Sequence, residues 1–325
     1  MIGWYVHGHG QGHLQRLQCI ARHLRTPVTA LSSLPRPDGW QHGWLTLADD
    51  LPRGDETDPT AGGTLHWAPR HHPGLRTRMA SIAAWVEREQ PSLVVVDVSV
   101  EVAVLVRALG VPVVVAAMRG DRSDRAHRTA YDLADALLAP WPASLPESWP
   151  QVWLDKAWHV GALSRLDDAP AAPPPGGRRV AVLWGRGGTD VTAEDVVAAA
   201  EATPGWTWTA AGVPGAPWFS DVPVLLREAD VVVTHAGQNA LAEVAACRRA
   251  AVVVPQARPY DEQLATARAL AQGGLAVVAE TWPLPRSWPD LLDKALATDP
   301  QGWSTWNDGQ GAQRAAALLD QAAAR

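Results

Sequence analysis

The chain has 325 residues and a formal net charge of −6, so nucleic acid is not expected as a bulk partner. Hydrophobic residues make up 47% and charged residues 19%, which excludes a disordered chain, and the length suits two α/β domains. There is no signal-peptide pattern, and Asp97, Glu101 and Arg107 interrupt the longest apolar region, 93–118. We therefore expect a cytoplasmic protein without a membrane span.

Two other features of the composition concern cysteine and tryptophan. Cys19 and Cys247 lie far apart in apolar helical patterns, and we interpret both as packing residues in a reducing compartment. The chain has 17 tryptophans against one phenylalanine and three tyrosines. So many indole rings predict that some are exposed, which would allow a surface that contacts lipid or sugar, as in a peripheral membrane contact. Compositional drift is the alternative.

The first half of the chain alternates strands with helices. Residues 1–6 predict a strand, and the glycine-rich turn after it opens a helix with Leu14, Leu17 and Ile20 on its inner side. The glycines allow close approach of the backbone to a phosphate or a sugar. A dinucleotide-binding dehydrogenase is not indicated, because the stretch 27–34 ends in serines where that fold has an acidic residue.

Residues 35–80 show little periodicity and predict loops over a cleft, with one strand near Leu45. We interpret His66, His71 and His72 as loop residues rather than metal ligands, because no carboxylate or cysteine stands near them at ligand spacing. Neither a metal ion nor a cofactor is expected.

A second polar strand end follows in this half. The predicted strand 93–97 leads into Asp97 and Ser99, at the same edge of the sheet as the first glycine-rich turn. The next strand ends in MRGDRSDRAHR, which contains four arginines, Arg119 among them. These arginines are suited to a phosphate or to a surface salt-bridge network, and both interpretations remain open.

Residues 161–177, GALSRLDDAPAAPPPGG, form the clearest boundary in the chain. Stacked prolines make a stiff extended connector, and the strand and helix alternation restarts behind it with a second glycine turn, GRGGTD. The pattern therefore predicts an α/β protein of two Rossmann-like domains that face each other across a cleft. The first domain spans 1–160 and the second 178–305, with closing residues at 306–325.

The stretch 230–246, DVVVTHAGQNALAEVAA, predicts a strand, a tight turn and a helix start. Such a turn lies at the carboxyl end of a parallel strand, where the N–H groups of the new helix can bind an anion. Glu243 is placed to accept hydrogen bonds from a diol such as ribose, and Glu262 with Gln263 suits several hydroxyls. This order predicts a nucleotide-sugar pocket; the alternative is an ordinary turn followed by solvated helix residues.

Two motifs carry a resemblance to a known family. HAGQNALAE, a strand, Pro255 and DEQLATA resemble the donor-binding half of glycosyltransferase family 28, and residues 10–16 resemble its GxGHxxR loop. The resemblance implies the GT-B fold, with the last helix crossing back to the first domain. It also implies metal-independent, inverting transfer from a nucleoside diphosphate sugar, in the first place a UDP-sugar. The hydroxyl acceptor is unidentified, either lipid-linked or a small molecule.

The resemblance also assigns roles to individual residues. His13 is expected to be the catalytic base, since a helix start favours a neutral imidazole; a purely structural histidine is the alternative. The family often has an asparagine where this chain has Thr266, to which no role is assigned. The expected donor contacts are Arg186, Gly187, Gly188, His235, Ala236, Gly237, Gln238, Glu243, Glu262 and Gln263. The expected acceptor contacts are Gly10, Gly12, Arg16, Asp97, Ser99 and Arg119.

Other functions remain open at this point. The GxGHxxR loop is also similar to that of nucleotide-sugar hydrolases of the same fold, in which the histidine would activate water. An epimerase would convert the donor sugar itself. A non-catalytic module would bind the sugar nucleotide with a structural His13.

Overall fold

The computed structural model describes residues 1–8, 12–169, 173–185, 190–216, 219 and 221–325. The strands within these residues form two sheets, and both sheets are parallel throughout. This arrangement confirms the prediction of two α/β domains with Rossmann-like sheets.

The amino-terminal domain is built on a seven-stranded sheet in the order β3-β2-β1-β4-β5-β6-β7. Its strands are β1 (Ile2–Val6), β2 (Val28–Ser32), β3 (Gly43–Thr46), β4 (Leu93–Asp97), β5 (Val113–Ala116), β6 (Ala136–Ala139) and β7 (Ala157–His159). Its helices are α1 (Gly12–Ala21), α2 (Pro73–Glu89), α3 (Val100–Ala108), α4 (Arg125–Leu133) and the short α5 (Gln151–Leu154).

The carboxy-terminal domain contains a five-stranded sheet in the order β12-β11-β10-β8-β9. Its strands are β8 (Arg179–Leu183), β9 (Thr207–Ala211), β10 (Val231–Thr234), β11 (Ala250–Val253) and β12 (Val277–Val278). The helices of the second half are α6 (Ala193–Glu201), α7 (Val222–Glu228), α8 (Gln238–Ala246), α9 (Glu262–Gln272), α10 (Trp288–Leu296) and α11 (Gly311–Ala323).

The strand order places one switch point in each sheet. The chain moves outward from β1 to β2 and then returns to the other side of β1 with β4; β8, β9 and β10 repeat this pattern. Loops at the carboxyl ends of strands diverge at such points and leave a crevice. Most of the residues expected to act on substrate follow β1, β4 and β10, so the topology brings these to the two crevices.

The chain crosses between the domains twice, and the two crossings lie side by side. The N–H of Ala162 donates to the carbonyl of Trp306 (2.9 Å), and Asn307 Nδ2 donates to Asp167 Oδ1 (2.8 Å). Beyond the second crossing, α11 packs on α1 and its apolar residues join the core around β1. The first domain is thus completed by the last helix of the chain.

The tryptophans fill the cores instead of the surface. Trp4, Trp141, Trp288 and Trp303 are among the largest fully buried side chains. Within the described residues every tryptophan is buried or half-buried, whereas Trp218 lies outside them. The expectation of exposed tryptophans is therefore wrong for the described part of the chain, because these indole rings pack between helices and sheets. This removes the basis for the predicted lipid contact.

Two further expectations concern cysteines and membrane spans. Cys19 and Cys247 are both free and buried, which confirms their interpretation as packing residues, and burial raises the pKa of each thiol. In the part of the chain that the structure describes, no helix combines the length and the apolar character needed to cross a membrane.

Candidate active site

The two crevices face each other, and side chains of α1 contact the start of α8 across the cleft. Arg16 donates to Gln238 Oε1 (2.5 Å), and Asn239 Nδ2 donates to Gln15 Oε1 (3.3 Å). These contacts join the glycine-rich loop of the first domain to the donor turn of the second. The two motifs that carry the family resemblance therefore meet at one site.

A second contact across the cleft is made by backbone. The N–H of Asp121 donates to the carbonyl of Tyr260 (2.8 Å), and Gly120 next to it has a φ of +96°. A Cβ on Gly120 would lie 2.2 Å from the Tyr260 carbonyl oxygen, so only glycine fits at this contact. Tyr260 and Asp261 also adopt positive φ, at 62° and 54°. Tyr260 thus combines strained backbone with a contact across the cleft. Strained backbone often occurs at functional sites.

His13 lies in the first turn of α1, with Nδ1 2.8 Å from Asp97 Oδ1 at the end of β4. Its side chain is 18% exposed, whereas Asp97 is completely buried. A carboxylate oxygen can only accept at this contact, so Nδ1 carries a proton, and in the neutral ring Nε2 has the lone pair. An imidazole oriented in this way can accept a proton from a hydroxyl group, as a general base requires.

Asp97 is held in its charged form by two partners. Burial by itself would raise the pKa of the carboxyl, but the Arg16 guanidinium, 2.5 Å away, and the His13 imidazole outweigh burial. The pKa of Asp97 therefore lies below its usual value. Arg16 is 95% buried and also bonds Gln238, so it fixes Asp97 and the second domain together. The predicted acceptor contact of Arg16 remains a prediction.

The backbone after Asp97 is strained. Val98 has a φ of 61°, which a β-branched residue rarely adopts. This turn ends β4 and begins α3, where Ser99 Oγ accepts from the N–H of Val102 as the helix cap. The strained residue thus lies between Asp97, which ends β4, and Ser99, which caps α3.

Two of the expected acceptor contacts are corrected by the structure. Asp97 is fully buried behind His13, so it orients the imidazole instead of contacting an acceptor. Arg119 is 2% exposed, lies 2.9 Å from the Glu147 carboxylate and packs over Trp141. Its guanidinium also donates to the Leu145 carbonyl, so it is closed off from a phosphate in the cleft.

The remaining described acceptor residues lie at the cleft. Gly12 faces the second domain, since a Cβ there would come within 3.3 Å of Asn239 Nδ2. Ser99 is half-buried, donates to Glu101 Oε2 (2.9 Å) and lines a cavity of about 200 Å³ beside the ends of β1 and β4. Both residues stay candidates for acceptor binding.

The donor turn between β10 and α8 is shaped by its own side chains. The N–H of Ala236 donates to Gln263 Oε1 (3.1 Å), and the N–H of Gly237 donates to His235 Nδ1 (2.9 Å). These two N–H groups are therefore not available to a phosphate, contrary to expectation. No side chain among the described residues caps α8, so the N–H of Gln238 in its first turn lacks a helical partner. Of the expected donors after His235, only the N–H of Gln238 stays a candidate for binding an anion.

His235 packs against this turn as a neutral ring. Burial and the nearby Arg258 guanidinium lower the pKa of His235 to about 4. A Cβ on Gly237 would lie 2.3 Å from His235 Cε1, so glycine is needed for the ring to occupy this place. Arg258 was missed by the sequence interpretation because it stands in a loop without periodicity. Its charge reaches the donor turn from the loop after β11.

Glu243, expected to bind ribose, is 5% exposed. Its Oε1 accepts from Arg165 Nε (2.8 Å) and from Gln15 Nε2 (3.4 Å). The carboxylate is thus shared by the connector and by α1. A ribose would have to replace these donors, and the assignment remains a prediction.

The two residues expected to bind the donor sugar have different surroundings. Glu262 is 28% exposed, and its Oε2 lies 3.5 Å from Arg122 across the cleft. Gln263 is buried, and its Oε1 accepts from the N–H groups of Ala236 and Gln256 (3.0 Å to the latter). That oxygen joins the loops after β10 and β11 and is not available to a sugar, so a sugar contact of Gln263 through Nε2 remains a prediction. Glu262 remains a candidate.

Four expected site residues lie outside the described residues. They are Gly10 in the first loop and Arg186, Gly187 and Gly188 in the loop after β8. Their proposed contacts with acceptor and donor diphosphate remain predictions.

His66 has carboxylate and imidazole partners that its sequence neighbourhood did not show. Ligand atoms of His66, Asp124 and His127 lie within 4.8 Å of one another, which corrects its interpretation as an isolated loop histidine. However, His127 Nδ1 bonds Asp124 and its Nε2 accepts from Arg122 (3.1 Å). A cation bound there would meet the guanidinium, so the geometry favours a hydrogen-bond network. The expected absence of a metal remains a prediction.

The two buried histidines predict a pH dependence of stability. The pKa of His127, like that of His235, is lowered to about 4, chiefly by burial. Because unfolded histidine binds a proton below about pH 6.5, the unfolded state binds more protons between pH 6.5 and 4. We expect the free energy of unfolding to fall by about 2 kcal/mol per histidine from pH 7 to 5. Urea unfolding at pH 7 and pH 5 measures this decrease. In His127→Gln the decrease should be smaller by the contribution of one histidine. Equal free energies of unfolding of the wild-type chain at the two pH values would contradict the prediction.

Comparisons with known proteins agree with this geometry. Residues 210–302 match the family model for the glycosyltransferase family 28 C-terminal domain. The UDP-N-acetylglucosamine–N-acetylmuramyl-(pentapeptide) pyrophosphoryl-undecaprenol N-acetylglucosamine transferase of Agrobacterium fabrum is 34% identical over 83 residues, 25% of this chain and 22% of that protein. Its counterpart in Rhodopseudomonas palustris is 36% identical over 88 residues, 26% and 24% of the two chains. The matches thus span about a quarter of these relatives.

Solved structures are similar over the whole chain. Spinosyn forosaminyltransferase SpnP is similar with a TM-score of 0.69 at 15% identity, and the matched region covers 100% of this chain and 99% of the SpnP chain. The kitacinnamycin glycotransferase gives 0.66 at 18% identity, with 99% and 98% covered. MurG of Acinetobacter baumannii gives 0.63 at 14% identity, with 98% and 99% covered. At these identities the likeness shows the fold, which is GT-B.

The chain therefore belongs to the class of two-domain proteins with the GT-B fold. Residues 210–302 of its second domain match the family 28 C-terminal domain, which confirms the predicted resemblance to glycosyltransferase family 28.

Proposed function

We propose that the chain is a glycosyltransferase that moves a sugar from a nucleoside diphosphate donor to a hydroxyl acceptor. One observation carries the proposal: the His13–Asp97 pair lies across the cleft from the donor turn, and Arg16 bonds both Asp97 and Gln238. A proton acceptor and an anion-binding helix start are thereby held in one crevice. Transfer of a sugar between two oxygens needs this combination.

The reaction follows from the two halves of the site. The acceptor oxygen attacks the anomeric carbon while His13 Nε2 takes its proton, and the bond from that carbon to the diphosphate oxygen breaks. The electron pair of that bond leaves with the diphosphate. A single displacement of this kind inverts the anomeric centre. Asp97 stabilises the imidazolium that forms on His13.

The departing diphosphate is stabilised by the second domain. The uncapped start of α8 offers N–H groups and the positive end of the helix dipole, and Arg258 adds a full charge nearby. The sequence has no Asp-x-Asp motif at a strand end, where a metal-dependent enzyme would hold its ion. We therefore propose that protein groups carry this charge without a divalent metal ion.

The named relatives support the donor class. The curated relatives carry UDP-N-acetylglucosamine in their names, and solved structures of SpnG and VinC contain thymidine diphosphate and dTDP. A pyrimidine nucleoside diphosphate sugar is thus the proposed donor, with UDP as the first choice. The free, buried cysteines support a cytoplasmic location, since thiols stay reduced there.

Turnover assays test this proposal. The protein is incubated with UDP- and dTDP-sugars, with and without a pool of hydroxyl acceptors, and release of the nucleoside diphosphate is measured. We expect acceptor-dependent release that EDTA leaves unchanged, with the His13→Ala protein as the background control. Free sugar formed without acceptor would indicate a hydrolase, and an altered donor sugar an epimerase. Binding without turnover would leave a non-catalytic module, and loss of activity in EDTA that Mg²⁺ restores would contradict metal independence.

A further inference from the structure

The cavity of about 200 Å³ in the amino-terminal domain lies beside the proposed base. His7 forms part of its wall, and the centroid of the His7 ring is 6.0 Å from that of His13. A cavity of this volume holds a group about the size of one six-membered ring. A ring bound in the cavity would contact His7, which lies next to His13. A hydroxyl group on the edge of the bound ring can therefore face the proposed base.

The single guanidinium of the cavity is already neutralised. Arg78 is 3% exposed, and its Nη1 lies 2.9 Å from Asp50 Oδ1 and 2.9 Å from the Tyr5 hydroxyl. Its other donors bond the Ala48 carbonyl (2.9 and 3.0 Å). These contacts occupy four of the five N–H groups of Arg78, and its charge is balanced by Asp50.

A second carboxylate makes the cavity negative overall. Glu101 Oε1 accepts from the N–H groups of His66 (2.7 Å) and Trp67 (2.8 Å), and Ser99 donates to its Oε2. Since all these donors are neutral, the charge of Glu101 is not compensated by a cation. Two carboxylates thus face one guanidinium around the cavity.

Besides the neutral polar groups of Tyr5, His7 and Ser99, the lining is apolar, and it contains no second arginine among the described residues. Leu75 and Met79 of α2 form one side, and Trp67 adds an aromatic wall. Arg119 and Arg122 are both nearly buried and bound to other groups. An anionic acceptor would bring a like charge against Asp50 and Glu101 without a cation to receive it.

We propose that this cavity selects the acceptor, and that its ligand is a ring-sized hydroxyl compound that is neutral or cationic, never anionic. The inference rests on the proposed function, because it places the acceptor beside the base. The diphosphate of a lipid-linked acceptor has no place inside this cavity. Recognition instead depends on packing of the ring against Trp67 and Met79 and on the negative field of the two carboxylates.

Three probes that differ only in charge test the proposal: 4-hydroxybenzyl alcohol, 4-hydroxybenzylamine and 4-hydroxybenzoate. Their binding to the full chain is measured by ligand-observed NMR at millimolar concentration. We expect the alcohol and the amine to bind and the carboxylate to bind at least about tenfold more weakly, the equivalent of one partly screened charge contact. Equal binding of the three, tightest binding of the carboxylate, or no binding of any probe would overturn the proposal.

A variant that removes one negative charge from the cavity sharpens the test. Asp50→Asn leaves Arg78 without its counter-ion, so affinity for the carboxylate should rise and affinity for the amine should fall, each by about tenfold. A merely structural role of Asp50 would lower the affinity of all probes alike. Met79→Trp, which fills the cavity without altering charge, should abolish binding of all three and serves if Asp50→Asn fails to fold.

The same samples separate this inference from the proposed function. UDP and dTDP are titrated alongside the probes, because the donor turn lies in the other domain. If a nucleotide binds and the probes do not discriminate by charge, the acceptor inference alone fails. If the probes discriminate and no nucleotide binds, the charge preference of the cavity stands, but the proposed transferase function fails and with it the cavity's role in acceptor selection.

Discussion

Replacement of His13 by alanine is expected to lower kcat by about 10²- to 10⁴-fold, the range that general bases contribute. Nδ1 of His13 is held by Asp97 at 2.8 Å, so Nε2 is the lone pair available to an acceptor hydroxyl. The other described partner of Asp97 is Arg16, whose guanidinium cannot accept a proton, so His13→Ala leaves no base at this carboxylate. Initial rates over a range of acceptor concentrations measure the effect. The donor Kd should stay unchanged, because the donor turn lies in the second domain.

A matched control distinguishes chemistry from folding. His23 follows α1 just beyond its carboxyl end, so His23→Ala removes a histidine of the same region without touching the Asp97 contact. This variant should keep wild-type kcat. Wild-type turnover in His13→Ala would reject the base assignment and return His13 to a structural role.

Asp97→Asn is expected to lower kcat by about 10²- to 10⁴-fold and to destabilise the fold by about 3–5 kcal/mol. The amide keeps the shape of the side chain but cannot balance the imidazolium that forms on His13. It also leaves the buried Arg16 guanidinium, now 2.5 Å from the carboxylate, without a counter-charge. Turnover and urea unfolding measure the two effects separately.

The pH dependence of the Asp97→Asn effect has a fixed sign. The pKa of Asp97 is lowered in the folded chain, so its stabilisation is fully present above the unfolded value of about 3.9. The difference in unfolding free energy between wild type and Asp97→Asn should be constant from about pH 5 to 8 and shrink as the pH falls through the folded pKa. A difference that grows toward low pH would contradict a charged, paired Asp97.

A double variant tests the source of the destabilisation. In Asp97→Asn/Arg16→Gln no buried charge remains unpaired, so part of the stability lost in Asp97→Asn should return. Turnover should not return, because His13 still lacks its carboxylate. Recovery of turnover in the double variant would show that Asp97 acts on the fold alone.

The sequence predicted much of the framework because the relevant signals are local. A β-branched run, a glycine turn and a helical period define the segment around His235 without reference to the rest of the chain. Parallel strands that alternate with helices then bring the ends of β1, β4 and β10 to the cleft. His13 was predicted from its place in the first glycine-rich loop.

The partners of those residues could not be predicted, because they depend on packing between distant segments. Asp97 stands 84 residues from His13, and the pattern placed it at the right edge without showing which side chain it meets. Arg119 packs against the rings of Trp141 and Trp306, and Trp306 lies where the chain crosses back to the first domain. A run of arginines looks the same in sequence whether it lies in solvent or in such a stack.

The same limit applies to the backbone donors of the donor turn. The N–H groups of Ala236 and Gly237 were expected to face a phosphate, but Gln263 and His235 accept from them. Gln263 lies 27 residues later and returns to the turn through α9. A side chain that folds back to bond a turn leaves no periodic signal, so the occupation of these two N–H groups became visible only in the structure.

The central claim, that one nucleoside diphosphate sugar rests between the two domains with His13 acting only on the acceptor, is tested most directly by calorimetry. UDP and dTDP are titrated into the wild-type chain and into His13→Ala. The account predicts that one of these nucleotides binds at a single site per chain, with the same dissociation constant for both proteins. Absence of heat with both nucleotides, or loss of binding in His13→Ala, would contradict it.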